Sequence, residues 1–296
     1  MVPLRRIVLL SLFALSTWHL AAMSLAEQGS TESVSAPAAK SVAELELERI
    51  LARQQRVFDD LNTVLADADE QDRRQPVEAL DTEFKAFILE NPDYVYGYIL
   101  YGKFLRSIDR AADAAEVFLK ANELGDFAVV KQQIGTYLAE EGDYALALPY
   151  LLSAVELEPE TAVYHYQLGE LLYTYRQEFI KNGQLTAELI DHKQFKAFAQ
   201  AARLAPDNRT LQYRFAESFF DCPDPDWTQA LEQWQRLETT ADSPVERQII
   251  RLQKARVYAK LGDSDQALAL LETVNHPSLS ATKQQLKVSL SALKND

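Results

Sequence analysis

Apolar residues between Glu44 and Ala68 recur largely at helical spacing: Leu45, Leu47, Ile50, Leu51, Val57, Phe58, Leu61 and Leu65. The pattern continues almost to the C-terminus, broken by short polar, Gly or Pro punctuation, and no stretch alternates long enough to predict a strand. The chain therefore reads as all-α from about residue 43 onward. Residues 27 to about 42 (EQGSTESVSAPAAKSV) lack bulky apolar spacing and predict a solvated, disordered linker. Before them, residues 1–26 read as a signal peptide. Arg5 and Arg6 form a basic start, Ile7 to Leu15 an apolar run, and Ser24-Leu25-Ala26 a small-residue cleavage site, with cleavage after Ala26. The apolar run is shorter than the roughly 18 residues a membrane span wants, so an uncleaved anchor is the less favoured alternative.

Composition narrows the function class. The 296 residues are 47% hydrophobic, enough to bury a core. A formal charge of −14, or −16 once Arg5 and Arg6 leave with the leader, argues against nucleic acid and anionic lipid surfaces. One cysteine, Cys222, builds neither an internal disulfide nor a four-thiolate metal site.

A period of about 34 residues runs through the helical region. Gly102, Gly135 and Gly169 are spaced by 33 and 34 residues. The segment Gly142-Asp143-Tyr144 to Pro159 carries Ala147, Leu151, Ala154 and Leu157 in an order that resembles the second helix of a tetratricopeptide repeat. Ile134-Gly135 and Leu138 resemble the first helix of the same repeat. Tyr98, Tyr101, Gly102 and Leu105 with Ala114, Phe118 and Ala121 form a second copy. His165, Leu168, Gly169 and Leu172 with Phe198, Ala201, Leu204 and Pro206 form a third. Weaker copies run through Phe215, Ala216, Phe219, Ala230 and Trp234, and through Ala255, Tyr258, Gly262-Asp263, Ala267 and Leu271. Upstream, Leu80, Phe84, Phe87 and Asn91-Pro92 look like a second helix. The resemblance implies an α-solenoid of about five to six stacked antiparallel hairpins over residues 43–296. Small residues there let paired helices approach while bulky ones fill the gaps.

Departures from the pattern carry information. Pro159 and Pro206 lie 47 residues apart, thirteen over the period. With Asn182-Gly183 as turn and Thr186 as N-cap, this predicts two lengthened helices, about 162–181 and 186–205, projecting roughly 9 Å past their neighbours. Asp221 to Asp226, with two prolines, replaces the next tight turn. The last helix, Ser280 to Lys294, should cap the stack.

Catalytic chemistry finds no assembled motif: no H-E-x-x-H, G-x-S-x-G or P-loop string occurs. His192 and Cys222 lack a nucleophile context, His165 sits at a packing position and predicts a core histidine, and His276 falls in a turn. Asp221, Asp224 and Asp226 do not have EF-hand spacing. The expectation is a protein that is not an enzyme and carries no cofactor or metal.

The resemblance further implies that first helices line a concave groove. Side chains turned away from packing positions there are Tyr96, Ile99, Lys103 and Arg106, then Gln132 and Thr136. Tyr166, Glu170 and Tyr173 follow, then Tyr213, Glu217 and Phe220, and finally Ile249, Leu252 and Arg256. Twice the order is aromatic, acid, aromatic at i, i+4, i+7, so each trio shares a helix face. Rings supply contact area at little entropic cost, and acids would orient a basic ligand group. Chaperone-binding relatives hold a C-terminal carboxylate with Lys, Asn and Arg; Ile99 and Thr136 stand among the corresponding positions, so that ligand is not implied. The expected function is a periplasmic or secreted scaffold that binds a protein or peptide partner. The alternative is an architectural subunit of a cell-envelope complex, acting through the projecting hairpin and end helices.

Overall fold

The computed structural model describes residues 40–293, and every regular element among them is helical. The expected signal peptide at 1–26 and residues 27–39 of the expected linker lie outside the described residues. Contacts group the chain into two compact units that divide at Tyr137 and Leu138.

The first unit holds α1 (Val42–Asn62), α2 (Glu70–Glu90), α3 (Val95–Ser107), α4 (Ala111–Leu124) and most of α5 (Ala128–Glu140). The start of α1 is written locally. The Ser41 hydroxyl accepts from Glu44 N–H while the Glu44 carboxylate accepts from Ser41 N–H, a closed capping box. The helix begins at Val42, at the edge of the expected linker, and stops at Asn62 rather than reaching Ala68. Leu65 therefore lies in the following turn, where Arg73 Nη1 donates to the carbonyls of Leu65 and Ala66 at 2.8 Å each. Asp69 then caps α2. Consecutive helices pack as hairpins around Leu80, Phe84, Phe87, Phe104, Leu105 and Phe118, all essentially buried. Each such side chain contributes about 1.5–3 kcal/mol by leaving water.

The second unit holds α6 (Tyr144–Leu157), α7 (Ala162–Thr174), α8 (Arg176–Lys181), α9 (Ala187–Leu204) and α10 (Arg209–Ser218). After these come α11 (Trp227–Thr239), α12 (Pro244–Lys260), α13 (Ser264–Glu272) and α14 (Ser280–Leu293). Gly142 and Gly262 open the two Gly-Asp turns at φ of 86° and 79°, a backbone conformation that costs a side-chain-bearing residue strain. Asn208, Asp226, Ser243 and Asp263 accept backbone N–H bonds at the starts of α10, α11, α12 and α13. At the C-terminal end, α14 buries Leu290 against Leu252, Leu271 and Val274 and leaves Val288 exposed, the asymmetry of a capping helix.

The inserted thirteen residues lengthen the two helices within the bounds the spacing predicts, about 162–181 and 186–205, with one difference. The first is interrupted at Tyr175, which separates α7 from the short α8. Phe179 on α8 is fully buried with Ala147, Leu151, Leu172 and Ile190. Tyr144 stacks on Tyr175 at 5.1 Å and meets Phe179 edge-on at 5.0 Å. The Tyr175 hydroxyl donates to the Ala139 carbonyl at 2.6 Å. Arg176 grips the largely buried Asp191 with two bonds of 2.5 and 2.7 Å, tying α8 to α9. The interruption leaves Phe179 fully buried and Tyr175 half-buried, each with aromatic or backbone partners on α5 and α6. Thr186 caps α9 as its sequence predicts.

Candidate functional site

In the second unit, α7 and α10 are successive first helices of the repeat, and a side chain absent from the sequence-based candidates joins them. Arg214, on α10, donates from Nε to Glu170 Oε1 on α7 at 2.7 Å. Its guanidinium lies 4.1 Å from the Tyr173 ring centroid and 4.2 Å from that of Phe198. Only 12% of the side chain is exposed. The ion pair and the Tyr173 ring tie α10 to α7, and the Phe198 ring ties it to α9. Arg214 Nη2 makes no hydrogen bond and is sealed from solvent. The signal in the sequence that points to Arg214 is its i, i+3 spacing to Glu217, on the stripe next to the aromatic–acid–aromatic row.

Beside it opens a recess of about 380 Å³ lined by Tyr166, Arg209, Thr210, Tyr213, Arg214, Glu217 and Glu246. Tyr166 leans on Phe198 at 6.1 Å, and burial pushes its hydroxyl above the usual phenol range, with Glu170 adding to the effect. Tyr213 meets Trp234 edge-on at 5.6 Å and donates to Glu246 Oε1 at 3.1 Å. Its pKa is pushed up to about 12 by burial and by that carboxylate. Arg209 bridges to Glu246 at 2.6 Å and to the Thr240 carbonyl at 2.7 Å. Against the desolvation around it, Arg209 and the Asp242 N–H hold the Glu246 carboxyl below its ordinary value.

Glu217 is the exception among these groups. It makes no hydrogen bond or ion pair among the described residues. Although the residue reaches solvent, its carboxyl is walled closely enough that desolvation, with Asp221 and Glu170, raises it above the ordinary carboxylate range. Asp221 is raised by burial too, and Arg214 stands 4.0 Å away. The partly buried Arg256 lies 3.9 Å over the Phe220 ring and is lowered by desolvation.

The remaining candidates are distributed as follows. Tyr173 is 46% exposed and Tyr96 40% exposed, the latter beside Tyr94 and Phe127 in the first unit. Lys103 and Arg106 are half-buried there. Gln132 is 5% exposed and bonds Thr136 and Gln133, so it packs rather than lines a surface. Ile99 and Leu252 are likewise buried. His165 is not a core residue: it is half-exposed, with Nε2 2.7 Å from the Pro159 carbonyl. Asp226 caps α11 and Asp221 faces Arg214; no metal-holding group of His, Cys, Asp and Glu occurs among the described residues. No helix among them is long and apolar enough to cross a membrane.

No protein-family model and no curated protein matches the chain. Solved structures do. YrrB, a TPR protein with an unusual peptide-binding site, superposes with a TM-score of 0.54 at 18% identity, covering 64% of this chain and 90% of YrrB. PilF of Pseudomonas aeruginosa superposes with a TM-score of 0.54 at 15% identity, covering 82% of this chain and 99% of PilF. Likeness at such low identity speaks to architecture alone. The chain thus has the all-α solenoid fold of the tetratricopeptide-repeat proteins.

Proposed function

We propose that this chain is a non-catalytic interaction scaffold that binds a protein segment along the inner face formed by α7 and α10. The observation carrying this reading is the recess beside Arg214, lined by half-buried Tyr166 and unpaired Glu217, with exposed Tyr173 packed on the same Arg214. A rigid ring wall held by an internal arginine is pre-organised, so little ordering entropy opposes binding there. YrrB, which shares the fold, is described as having a peptide-binding site, which supports the same use of this architecture. Export to the periplasm or beyond, by the leader at 1–26, belongs to the same proposal.

The architectural alternative has less support. It calls for exposed apolar residues at the 162–205 hairpin tip or on the end helices; Lys181, Asn182, Gly183 and Gln184 form an exposed polar tip with Phe179 buried, and the end helices expose only single residues such as Leu45 and Val288. The test is a peptide array probed with the full chain and with Tyr173→Ser. Binding by the wild type that drops several-fold in the variant, at unchanged melting temperature, supports the groove. Equal binding by both proteins places the contact elsewhere.

A further inference from the structure

We propose that the recess between Tyr166 and Tyr213 receives a cationic side chain of the bound segment, a lysine ammonium or arginine guanidinium, with Glu217 as its counter-ion. This rests on the groove reading above and specifies the chemistry of its ligand. Both arginines in the wall are engaged: Arg209 with Glu246 at 2.6 Å and the Tyr213 ring at 5.4 Å, and Arg214 with Glu170 at 2.7 Å and two ring faces. Arg214 Nη2 has no hydrogen bond, but it is sealed from solvent and beyond a ligand's reach. Glu246 and the Tyr213 hydroxyl are bonded to each other. Of the charged lining groups that reach solvent, the Glu217 carboxylate is the one with no hydrogen-bond or ion-pair partner among the described residues.

Charge balance agrees. Glu170, Glu217 and Asp221 share the guanidiniums of Arg214 and Arg256, so this neighbourhood carries one negative charge more than its cations neutralise. The Arg209–Glu246 and Arg176–Asp191 pairs are each closed and add nothing to that excess. An anionic ligand group would meet the Glu217 and Glu246 carboxylates of the lining. A neutral one would strip water from Glu217 and return nothing. A cation gains the Glu217 carboxylate beside the rings of Tyr166 and Tyr213, the combination of carboxylate and ring that favours ammonium and guanidinium groups. The recess is open to solvent on one side and its volume lies within the roughly 300–1,000 Å³ of ligand pockets, so a long side chain can enter with its stem along the rings.

The test is an NMR titration of the full chain with Nα-acetyl-lysine-N-methylamide and, separately, with its uncharged norleucine isostere. The expected result is saturable shifts at Tyr166, Tyr213 and Glu217 with the lysine compound, and at least tenfold weaker binding of the norleucine compound. Glu217→Gln, nearly the same shape, should abolish the difference between the two while leaving the near-ultraviolet dichroism unchanged. Equal affinity for both compounds, no saturable shift, or a lysine preference that survives Glu217→Gln overturns the proposal. The groove reading is judged separately on the peptide array. Peptides that bind whether or not they carry Lys or Arg would keep the groove and remove the cation subsite. An array with no binders, beside a positive titration, would keep the subsite and remove the groove.

Discussion

Paired helices in the second unit approach closely at Gly169, and adding one methyl group there tests the register directly. A Cβ on Gly169 would stand 2.6 Å from Phe198 Cε1, 2.8 Å from Cδ1 and 2.9 Å from Cζ. Carbon atoms pack at about 3.5–4.0 Å, so the ring must retreat by about 1 Å. It has little room: Phe198 is 1% exposed, with the Arg214 guanidinium 4.2 Å from its centroid and Tyr166 leaning on it. Overpacking of this kind costs about 1–3 kcal/mol. Alanine returns about 0.5–1 kcal/mol over glycine in a helix interior. Gly169→Ala should therefore lose about 1–2 kcal/mol, read as a lower denaturant midpoint at unchanged slope. Because the displaced ring supports Arg214 and Tyr166, the same variant should shift the resonances of the recess. Phe198→Leu should relieve the clash, giving a favourable coupling energy of order 1 kcal/mol in the double-mutant cycle. A Gly169→Ala protein as stable as wild type, or a cycle additive to within about 0.3 kcal/mol, refutes the close-approach account.

Three further outcomes are expected. Ala147→Leu, at a fully buried joint, should cost about 1–3 kcal/mol in denaturant melts, and no loss would show that this position is not a close contact. Phe179→Ala should cost about 3–5 kcal/mol locally, raising hydrogen exchange across Arg176–Lys181 while α12 and α13 stay protected; unchanged exchange there would mean α8 is not held by this side chain. Glu238→Gln should cost on the order of 3 kcal/mol near neutral pH, because Lys254, 7% exposed and 2.8 Å from Glu238, would keep a buried charge without its counter-ion. Against desolvation, hydrogen bonds from Lys254 and Arg251 hold the Glu238 carboxyl below its ordinary value. A depressed carboxylate stabilises above its unfolded pKa and loses that contribution as pH falls through the folded one. The gap between wild type and Glu238→Gln should therefore be full above about pH 4.5 and close on acidification; a gap that stays constant or widens below pH 4 contradicts the pairing.

One refinement concerns the tyrosines. The sequence treats Tyr166 and Tyr213 as equivalent groove residues, but Tyr213 is wedged on Trp234 and bonded to Glu246. Its removal would lower stability as well as any binding, so Tyr173 and Glu217, whose surfaces open to water, are the cleaner probes of function.

By itself the sequence determined the helical class, most hairpin boundaries and the Gly–Phe register, because these rest on contacts within one repeat of about 34 residues. Gly102 meets Phe118 sixteen residues on, and Gly169 meets Phe198 twenty-nine residues on, so the same joint survives the thirteen-residue insertion. The cap at Thr186 and the Gly142 and Gly262 turns are likewise local, each satisfied within a few residues; the Ser41 capping box is as local, though its segment reads as linker. Only the tertiary structure decided what the insertion does and which polar groups are spent. The seat of α8 depends on Tyr144 and Ala139, more than thirty residues away, which meet Phe179 and Tyr175. The commitment of Glu170 depends on Arg214, forty-four residues on. A periodic pattern says which face of a helix turns inward, but not which charge on the next helix will neutralise an acid at its edge. That depends on the distance between two helices set by everything packed beneath them, and it leaves Glu217, unlike Glu170, with no partner among the described residues.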